Sequence, residues 1–281
     1  MFDGTGVVQF MSAVSELTRG AHTPSVLPVW DRHLLITSRD PPRVTCVHLE
    51  YENQDATPID NHVHRSFFFG PAETSALRSR LHPDLGSRCT KFELVTACLW
   101  RCRTTALAAD PDEVFRLDCI VNFRKRFNPP LPDGYYGNAF VFPAVVSAAG
   151  DLSSKPLDYA VELVRRAKSE ATEEYVRSVM DLMVTTGRPG FSLDRTLMVS
   201  DLTKMGFEKV DYGWGAPVYG GNPVPGVEEF AEHGIRGFPG LCFYGAWKNS
   251  KGEKGVMAPM SLPEDAMEVF AKEVKVMVEG K

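Results

Sequence analysis

The sequence predicts a mixed α/β fold in which long helices flank a sheet. Stretches with apolar residues at helical spacing alternate along the chain with short runs typical of strands. The 281 residues are 43% hydrophobic and 24% charged, a composition typical of globular proteins. Because each helix and strand must bury an apolar face, we expect the helices to pack over the sheet.

The first predicted helix begins directly after Asp3 and ends at Gly20. Aspartate is a common residue at the start of helices, and glycine is a common residue at their end. Residues 22–60 follow and are rich in Pro, Arg, Asp and Thr, which is typical of a linker. One alternating run within them, residues 44–49, predicts a single strand.

The next elements have clear boundaries in the sequence. A predicted strand ends at the dipeptide Gly70-Pro71, and a helix begins there because proline is tolerated at a first helical position. Thr90 and Glu93 form a capping box for a helix that extends to about residue 108. Residues 117–123 and 139–146 predict two strands, separated by a proline-rich loop.

The C-terminal half begins with one long predicted helix at residues 157–183, with a bend near Ala171. Packing against the core explains its apolar stripe. Three strands and a last helix follow, at residues 196–200, 241–247, 255–260 and from Pro263 onward.

Charge and composition exclude several classes of protein. A formal net charge of -5 and a pI of about 5.8 leave no general basic field for nucleic acid. The six cysteines form no Cys-x-x-Cys pair, which favours a reducing, cytoplasmic location. No leader or membrane-spanning apolar stretch is expected. His62 and His64 share one face of a strand, but no third ligand is positioned beside them, so no metal site is predicted.

Three motifs carry a resemblance to a known family. They are Asp3-Gly4, the tetrapeptide Tyr135-Tyr136-Gly137-Asn138 and the pentapeptide Asp211-Tyr212-Gly213-Trp214-Gly215. The pentapeptide resembles the Asp-Phe-Gly-Trp-Gly signature of the plant BAHD acyl-CoA-dependent acyltransferases, and the tetrapeptide resembles their Tyr-Phe-Gly-Asn. Asp3-Gly4 resembles the end of their His-x-x-x-Asp-Gly motif. Residues 63–71 and 129–132 resemble benzyl alcohol O-benzoyltransferase-like and alcohol acyltransferase members.

This resemblance implies a CoA-dependent acyltransferase fold of the chloramphenicol acetyltransferase type. Such a fold has two similar-sized α/β domains built on mixed sheets with flanking helices. Residues 1–21 would be the remnant of the first domain, 22–60 a crossover linker and 61–281 the second domain. Most of the first domain would then be missing, and the motif histidine would lie two residues upstream of Met1.

The resemblance also implies the reaction. BAHD enzymes transfer an acyl group from acyl-CoA, a co-substrate, to an alcohol, with the motif histidine as general base and no permanently bound cofactor. Benzoyl-CoA or acetyl-CoA would be the donor and a benzylic or aliphatic alcohol the acceptor. The full-length protein is expected to be a monomer. The alternative is a non-catalytic paralogue that binds CoA or a partner protein.

Candidate site residues follow from the motif positions. Asp3 matches the motif aspartate, which orients the local structure by ion pairing, although an ordinary helix cap would also explain it. Asn138, together with Tyr136 and Gly137, matches positions near the acyl-CoA, and turn formation is its other explanation. Ser200 lies in a segment that lines the family's reaction channel, so it is a candidate contact to the reacting oxygen or a strand-end hydroxyl.

The pentapeptide motif is assigned to architecture and not to catalysis. Its aspartate, Asp211 here, pairs in the family with an arginine remote from the reaction, and Arg124 or Arg126 is the candidate partner. Tyr212 replaces the usual phenylalanine, which keeps the aromatic ring and adds a hydroxyl. Near Ser200, Leu202 stands where many members have tryptophan, so the resemblance does not supply an indole donor there.

Overall fold

A six-stranded mixed sheet forms the centre of the computed structural model, which describes residues 2–36, 39–51, 62–187, 189–190, 193, 195–221 and 239–279. The strands are β1 His62–Phe69, β2 Val114–Cys119, β3 Val121–Asn122, β4 Phe140–Val141, β5 Ala144–Ala148, β6 Thr196–Asp201, β7 Leu241–Lys248 and β8 Lys254–Pro263. The six-stranded sheet has the order β1-β8-β7-β6-β2-β5. Its inner pairs β7-β6 and β6-β2 are parallel, and the others are antiparallel. Strands β3 and β4 pair separately.

The helices precede and flank this sheet. They are α1 Gly4–Thr18, α2 Pro71–Arg78, α3 Pro83–Arg88, α4 Lys91–Ala106, α5 Ala149–Ser154, α6 Leu157–Glu170, α7 Glu173–Thr185 and α8 Glu264–Val278. Short 3-10 turns lie at Arg32–Leu35, Leu49–Tyr51 and Phe207–Lys209. None of the helices in these described ranges is long and apolar enough to cross a membrane.

Helix α4 is the centre of the main core. It packs between α6 and α8 and also contacts β6. Twelve of its 16 residues are buried, among them Leu99 and Trp100. Burying aromatic and aliphatic side chains of this size supplies most of the driving force for folding. The core therefore holds the parallel strands in place beneath the helices.

The predicted starts of two helices are confirmed. Pro71 is the first residue of α2, directly after β1. At α4 the Glu93 backbone N–H donates to Thr90 Oγ1 at 3.3 Å, and the Thr90 backbone N–H donates to Glu93 Oε2 at 2.8 Å. Both bonds satisfy backbone donors that a helix start leaves without partners.

Several predicted elements are divided in the structure. The long helix of residues 157–183 is two helices, α6 and α7, and the break lies at the predicted bend. The Thr172 side chain starts the second helix by accepting the Tyr175 backbone N–H at 3.1 Å. The strand predicted at 117–123 is divided into β2 and β3, and the one at 139–146 into β4 and β5.

The strand predicted at residues 44–49 is wrong. Backbone N–H groups of Thr45 and Cys46 both donate to Ser178 Oγ on α7, each at 3.0 Å. These N–H groups therefore donate to a side chain and not to the carbonyl groups of a neighbouring strand. The linker that was predicted around them remains a prediction, and its boundary at residues 60 and 61 lies outside the described residues.

Candidate active site

An ion pair between Asp3 and Arg124 is the centre of the candidate site. Asp3 Oδ2 accepts Arg124 Nη1 at 2.7 Å, and Asp3 Oδ1 accepts Arg124 Nη2 at 3.0 Å. The two side chains are only 9% and 12% exposed. A bidentate contact of this kind is both strong and geometrically specific.

The Asp3 carboxylate also caps α1. Its Oδ1 accepts the Gly6 backbone N–H at 3.1 Å, and its Oδ2 accepts the Ala139 backbone N–H at 3.0 Å. One carboxylate thus joins the start of a helix, an arginine and the residue that follows the tetrapeptide. The helix cap and the ion pair, the two roles predicted for Asp3, occur together.

Arg124 brings the tetrapeptide to the same place. Its Nη2 donates to the Gly137 carbonyl oxygen at 2.7 Å and to the Tyr135 carbonyl oxygen at 3.3 Å. Tyr136 contacts two aromatic rings, with centroids 5.3 Å from Phe2 and 4.7 Å from Trp30. The tetrapeptide therefore lies against the first turn of α1.

A cleft of about 260 Å³ opens beside Asn138. Its lining includes Val29, Trp30, Arg32, Tyr135, Gly137 and Asn138. Asn138 is exposed, so its amide is accessible to a ligand. Burial raises the pKa of the Tyr135 hydroxyl above its ordinary value, and a phenol is a hydrogen-bond donor at neutral pH in either case. The cleft offers an amide, a phenol and a guanidinium beside an indole.

Two glycines allow α1 to approach both neighbouring segments. A Cβ at Gly6 would lie 2.7 Å from the Tyr136 carbonyl oxygen, and one at Gly4 would lie 2.9 Å from Met205 Cε and 3.7 Å from Leu202 Cδ2. Ser200 is 7% exposed near the end of β6, two residues before Leu202. The first turn of α1 thus lies between the tetrapeptide and the segment that follows Ser200.

The pentapeptide forms a local turn, and its predicted ion pair is wrong. Asp211 Oδ1 accepts the backbone N–H groups of Gly213 and Gly215 at 2.8 and 2.9 Å, which lowers the pKa of Asp211. Both glycines have positive φ, +104° and +105°, which other residues rarely adopt. Arg124 is engaged by Asp3, and Arg126 donates to the Ala171 carbonyl oxygen at 2.7 Å.

This turn lies at the C-terminal end of α1, away from Asp3. Thr18 Oγ1 donates to the Tyr212 carbonyl oxygen at 3.5 Å, and a Cβ at Gly213 would lie 3.7 Å from Arg19 Cγ. Trp214 is 93% exposed. The turn therefore contacts α1 through its backbone, and the architectural role predicted for it stays a prediction.

Sequence reasoning missed a basic groove of about 530 Å³ between the turn after β3, the start of α4 and the end of α6. Its charged lining is Arg126, Arg165, Arg166 and Lys168, with Glu93 and Glu162. The signal in the sequence is Arg165-Arg166-Ala167-Lys168, which on a helix is more often an ordinary solvated face. We call the surface lined by these four cations and two carboxylates the basic groove.

Within the described ranges no group of three or more His, Cys, Asp and Glu side chains could hold a metal ion. His62 and His64 do lie on one strand, two residues apart. Their shared face carries no further ligand in that part of the chain.

Comparison with known proteins identifies the family. The model of the Transferase family matches residues 1–277. The chain belongs to this family. It is the BAHD family that the motifs resemble.

Relatives within the BAHD family are similar along the whole chain. Benzyl alcohol O-benzoyltransferase from Nicotiana tabacum is 54% identical over 284 residues, 99% of this chain and 60% of the relative. The protein of the same name from Petunia hybrida is 53% identical over 286 residues, 100% of this chain and 60% of the relative. Alcohol acyltransferase 16 from Actinidia chinensis var. chinensis is 46% identical over 283 residues, 99% of this chain and 59% of the relative. The chain spans about 60% of the length of these relatives.

Solved structures confirm the predicted fold class. Vinorine synthase superposes with a TM-score of 0.66 at 19% identity, over 95% of this chain and 58% of that structure. TRI101 from F. sporotrichioides, solved with coenzyme A and T-2, has a TM-score of 0.65 at 18% identity, over 96% and 62%. At such low identity these matches concern the fold alone, which is the mixed sheet with flanking helices of CoA-dependent acyltransferases.

Proposed function

We propose that this protein is an acyl-CoA:alcohol O-acyltransferase that transfers a benzoyl or acetyl group to a benzylic or aliphatic alcohol. One observation carries the proposal. The aspartate of the predicted His-x-x-x-Asp motif is bound by Arg124, which also binds the tetrapeptide backbone. This arrangement occurs in a chain about half identical to two benzyl alcohol O-benzoyltransferases. Acyl-CoA is then a co-substrate, and no permanently bound cofactor is needed.

The proposed base is the histidine four positions before Asp3, outside these 281 residues. It takes the proton of the alcohol while the alcohol oxygen forms a bond to the thioester carbonyl carbon. The tetrahedral intermediate then expels the CoA thiolate as the carbon–sulfur bond breaks. The imidazolium returns the proton to that sulfur, so the enzyme ends unchanged. Because a thioester is already activated, this sequence of steps requires no metal.

The chain's own residues have positioning and binding roles in this proposal. Asp3, held by Arg124, fixes the backbone that follows the histidine. Asn138 and Gly137, which line the 260 Å³ cleft, are assigned together with Tyr136 to the acyl end of the site. Ser200 is assigned as a hydrogen-bond donor to the oxyanion, a role that needs the donor in place before reaction. We further propose that the enzyme acts as a cytoplasmic monomer without nucleic acid or membrane.

A chimera tests the reaction. The part of the Nicotiana tabacum relative that this chain does not match is joined to the chain, and the product is assayed with benzoyl-CoA or acetyl-CoA and benzyl alcohol. We expect ester, detected by gas chromatography with mass spectrometry. A chimera in which the motif histidine is alanine is the matched control and should form none. A folded chimera that forms no ester from either donor would contradict the proposed reaction.

A second candidate function is a non-catalytic protein that binds CoA or a partner. Large apolar side chains at Phe10, Leu17 and Trp30 are exposed on α1 and the segment after it, which favours this candidate. A pull-down with an intact family member tests partner binding, and calorimetry with CoA tests ligand binding. Negative results in both would remove this candidate.

A further inference from the structure

A buried hydrogen-bond network holds residues 45–50, which we call the strap, against α7. Ser178 Oγ on α7 accepts two backbone N–H groups of the strap, each at 3.0 Å. The same oxygen lies 2.8 Å from His48 Nε2, and His48 Nδ1 lies 3.2 Å from Glu50 Oε1. All three side chains are buried. The strap is therefore fixed by polar groups that are shielded from water.

The count of donors and acceptors assigns the protons of this network. A serine hydroxyl has two acceptor lone pairs and one proton, and the two strap N–H groups occupy both lone pairs of Ser178. Its own proton then goes to His48 Nε2, so His48 carries its proton on Nδ1. That proton is donated to Glu50 Oε1, which also accepts the Tyr175 hydroxyl. The network thus has a single direction, from Ser178 through His48 to Glu50.

The order serine, histidine, carboxylate is that of a hydrolase triad, but Ser178 is not placed as a nucleophile. A nucleophilic oxygen needs a free lone pair and an open side toward a substrate. Ser178 is 0% exposed, and both its lone pairs are occupied. It lines neither the 260 Å³ cleft nor the basic groove. The network therefore fixes the position of the strap.

The strap and the 260 Å³ cleft share one apolar cluster. Tyr175 and Tyr135 are buried in this cluster, and Leu35 and the strap residue Cys46 pack against it. Leu35 and Tyr135 also line the cleft, where they form one wall. Closely packed side chains transmit a shift to their neighbours. The position of the strap thus sets the position of the Leu35 and Tyr135 wall.

We infer that the Ser178–His48–Glu50 network is a positioning device for the proposed reaction, which holds the Leu35 and Tyr135 wall of the cleft in place for the acyl group. His48 acts through its neighbours and is a positioning residue. This inference rests on the proposed function, because that function assigns the cleft to the acyl end of the site.

NMR spectroscopy of the 281-residue chain tests the inference without an assay of activity. The nitrogen-15 shifts of the His48 ring report which nitrogen carries the proton, and the methyl signals of Leu35 report the wall of the cleft. Ser178→Ala removes the donor to His48, whereas Glu50→Gln keeps an oxygen acceptor for its Nδ1 proton. Ser147→Ala is the matched control, because it also removes a buried serine hydroxyl, whose partner on α6 lies at 2.9 Å.

We expect the His48 proton on Nδ1 in the wild type, in Glu50→Gln and in Ser147→Ala. Ser178→Ala should release the ring to either tautomer and shift the Leu35 methyl signals, which the other two variants should leave in place. A loss of stability alone would lower the melting temperature without moving these signals of the folded state. Unchanged Leu35 signals in Ser178→Ala, or a wild-type His48 proton on Nε2, would overturn the inference.

The chimera with the Nicotiana tabacum segment adds a kinetic measurement. Ser178→Ala in the chimera should lower kcat/KM for ester formation about tenfold, because a small misplacement far from the chemistry reduces the rate by that much or more. Ser147→Ala should leave kcat/KM unchanged. An active chimera in which Ser178→Ala also has no effect would overturn the positioning role. A chimera that forms no ester before any substitution would contradict the proposed reaction, and the NMR signals would still judge whether the network holds the cleft.

Discussion

Asp3 and Asp211 are both motif aspartates, yet the structure holds them in opposite ways. Asp3 is bound by Arg124 and by the Ala139 backbone, which are 121 and 136 residues away in sequence. Asp211 is bound by backbone N–H groups two and four residues further along. The first contact joins distant segments, and the second shapes a single turn. A motif residue can therefore matter to the whole fold or only to its own loop, and the motif alone does not distinguish the two.

The largest expected effect comes from breaking the ion pair between Arg124 and Asp3, which joins segments distant in sequence. Arg124→Ala leaves the Asp3 carboxylate nearly buried without its ion-pair partner, and we expect a loss of about 3 to 5 kcal/mol of unfolding free energy. Urea denaturation measures it. Arg126→Ala, in the same turn but exposed, is the control and should cost less than about 1 kcal/mol. Equal losses in the two variants would contradict the central role of the Asp3 ion pair.

Asp118 on β2 is a third aspartate to set beside Asp3 and Asp211. It is buried, and its carboxylate lies 3.2 Å from Arg116 Nε. Burial raises the pKa of Asp118 to about 7, Glu50 adds to the shift and Arg116 opposes it. The folded state thus binds the Asp118 proton more tightly than the unfolded state does. The contribution of this proton to the free energy of unfolding is complete below pH 4 and is lost as the pH rises toward 7. Each unit of pKa difference between the folded and unfolded states corresponds to about 1.4 kcal/mol, so the loss of unfolding free energy is at most about 4 kcal/mol.

Denaturation of the wild type and Asp118→Asn between pH 4 and 7 checks this prediction. Asparagine cannot ionise, so the difference between the two stability curves isolates the contribution of Asp118. We expect the wild type to lose stability relative to the variant across this range. Parallel curves would show that Asp118 does not titrate there.

Ser178 provides an intermediate case of a side chain that holds a distant segment. Ser178→Ala removes the acceptor of the Thr45 and Cys46 backbone N–H groups, and we expect a cost of about 1 to 3 kcal/mol. Hydrogen exchange should also become faster at those two amides. Ser169→Ala removes an exposed hydroxyl on α6 and should change neither quantity. Unchanged exchange in Ser178→Ala would contradict the contact.

The smallest effect is expected at the pentapeptide turn. Asp211→Asn keeps a side-chain oxygen that can accept both glycine N–H groups, so the melting temperature should hardly change. Asp211→Ala removes that acceptor and should lower the melting temperature more, yet less than Arg124→Ala does. Differential scanning calorimetry ranks the three variants. An Asp211→Asn variant as damaged as Arg124→Ala would show that Asp211 has a long-range partner after all.

Local signals in the sequence predicted the elements well. The capping box at Thr90, the proline at residue 71 and the bend near Ala171 all lie where the structure has helix boundaries. Such signals depend on hydrogen bonds between residues that are close in sequence, so they can be found without the tertiary structure. The motif resemblance then identified the family and the fold class.

Features that depend on distant partners were harder to predict. The run at residues 44–49 has the alternation of a strand, but its backbone donors bind Ser178, more than 130 residues away. The arginine partner of Asp211 was carried over from the family. In this structure the backbone N–H groups of Gly213 and Gly215 donate to Asp211, and Arg124 pairs with Asp3 instead. The basic groove combines residues from three segments, so no single stretch of sequence marked it.

Helix α1 has a mechanical consequence. Its 15 residues span about 22 Å, with Asp3 and the tetrapeptide at one end and the backbone of the pentapeptide turn at the other. A helix of this length behaves as one rigid element, so it keeps the two motifs about that distance apart. Since Asp3 is also bound to Arg124 and to the Ala139 backbone, a disturbance confined to the pentapeptide turn should leave Asp3 in place, and α1 then acts as a fixed spacer between the two motifs.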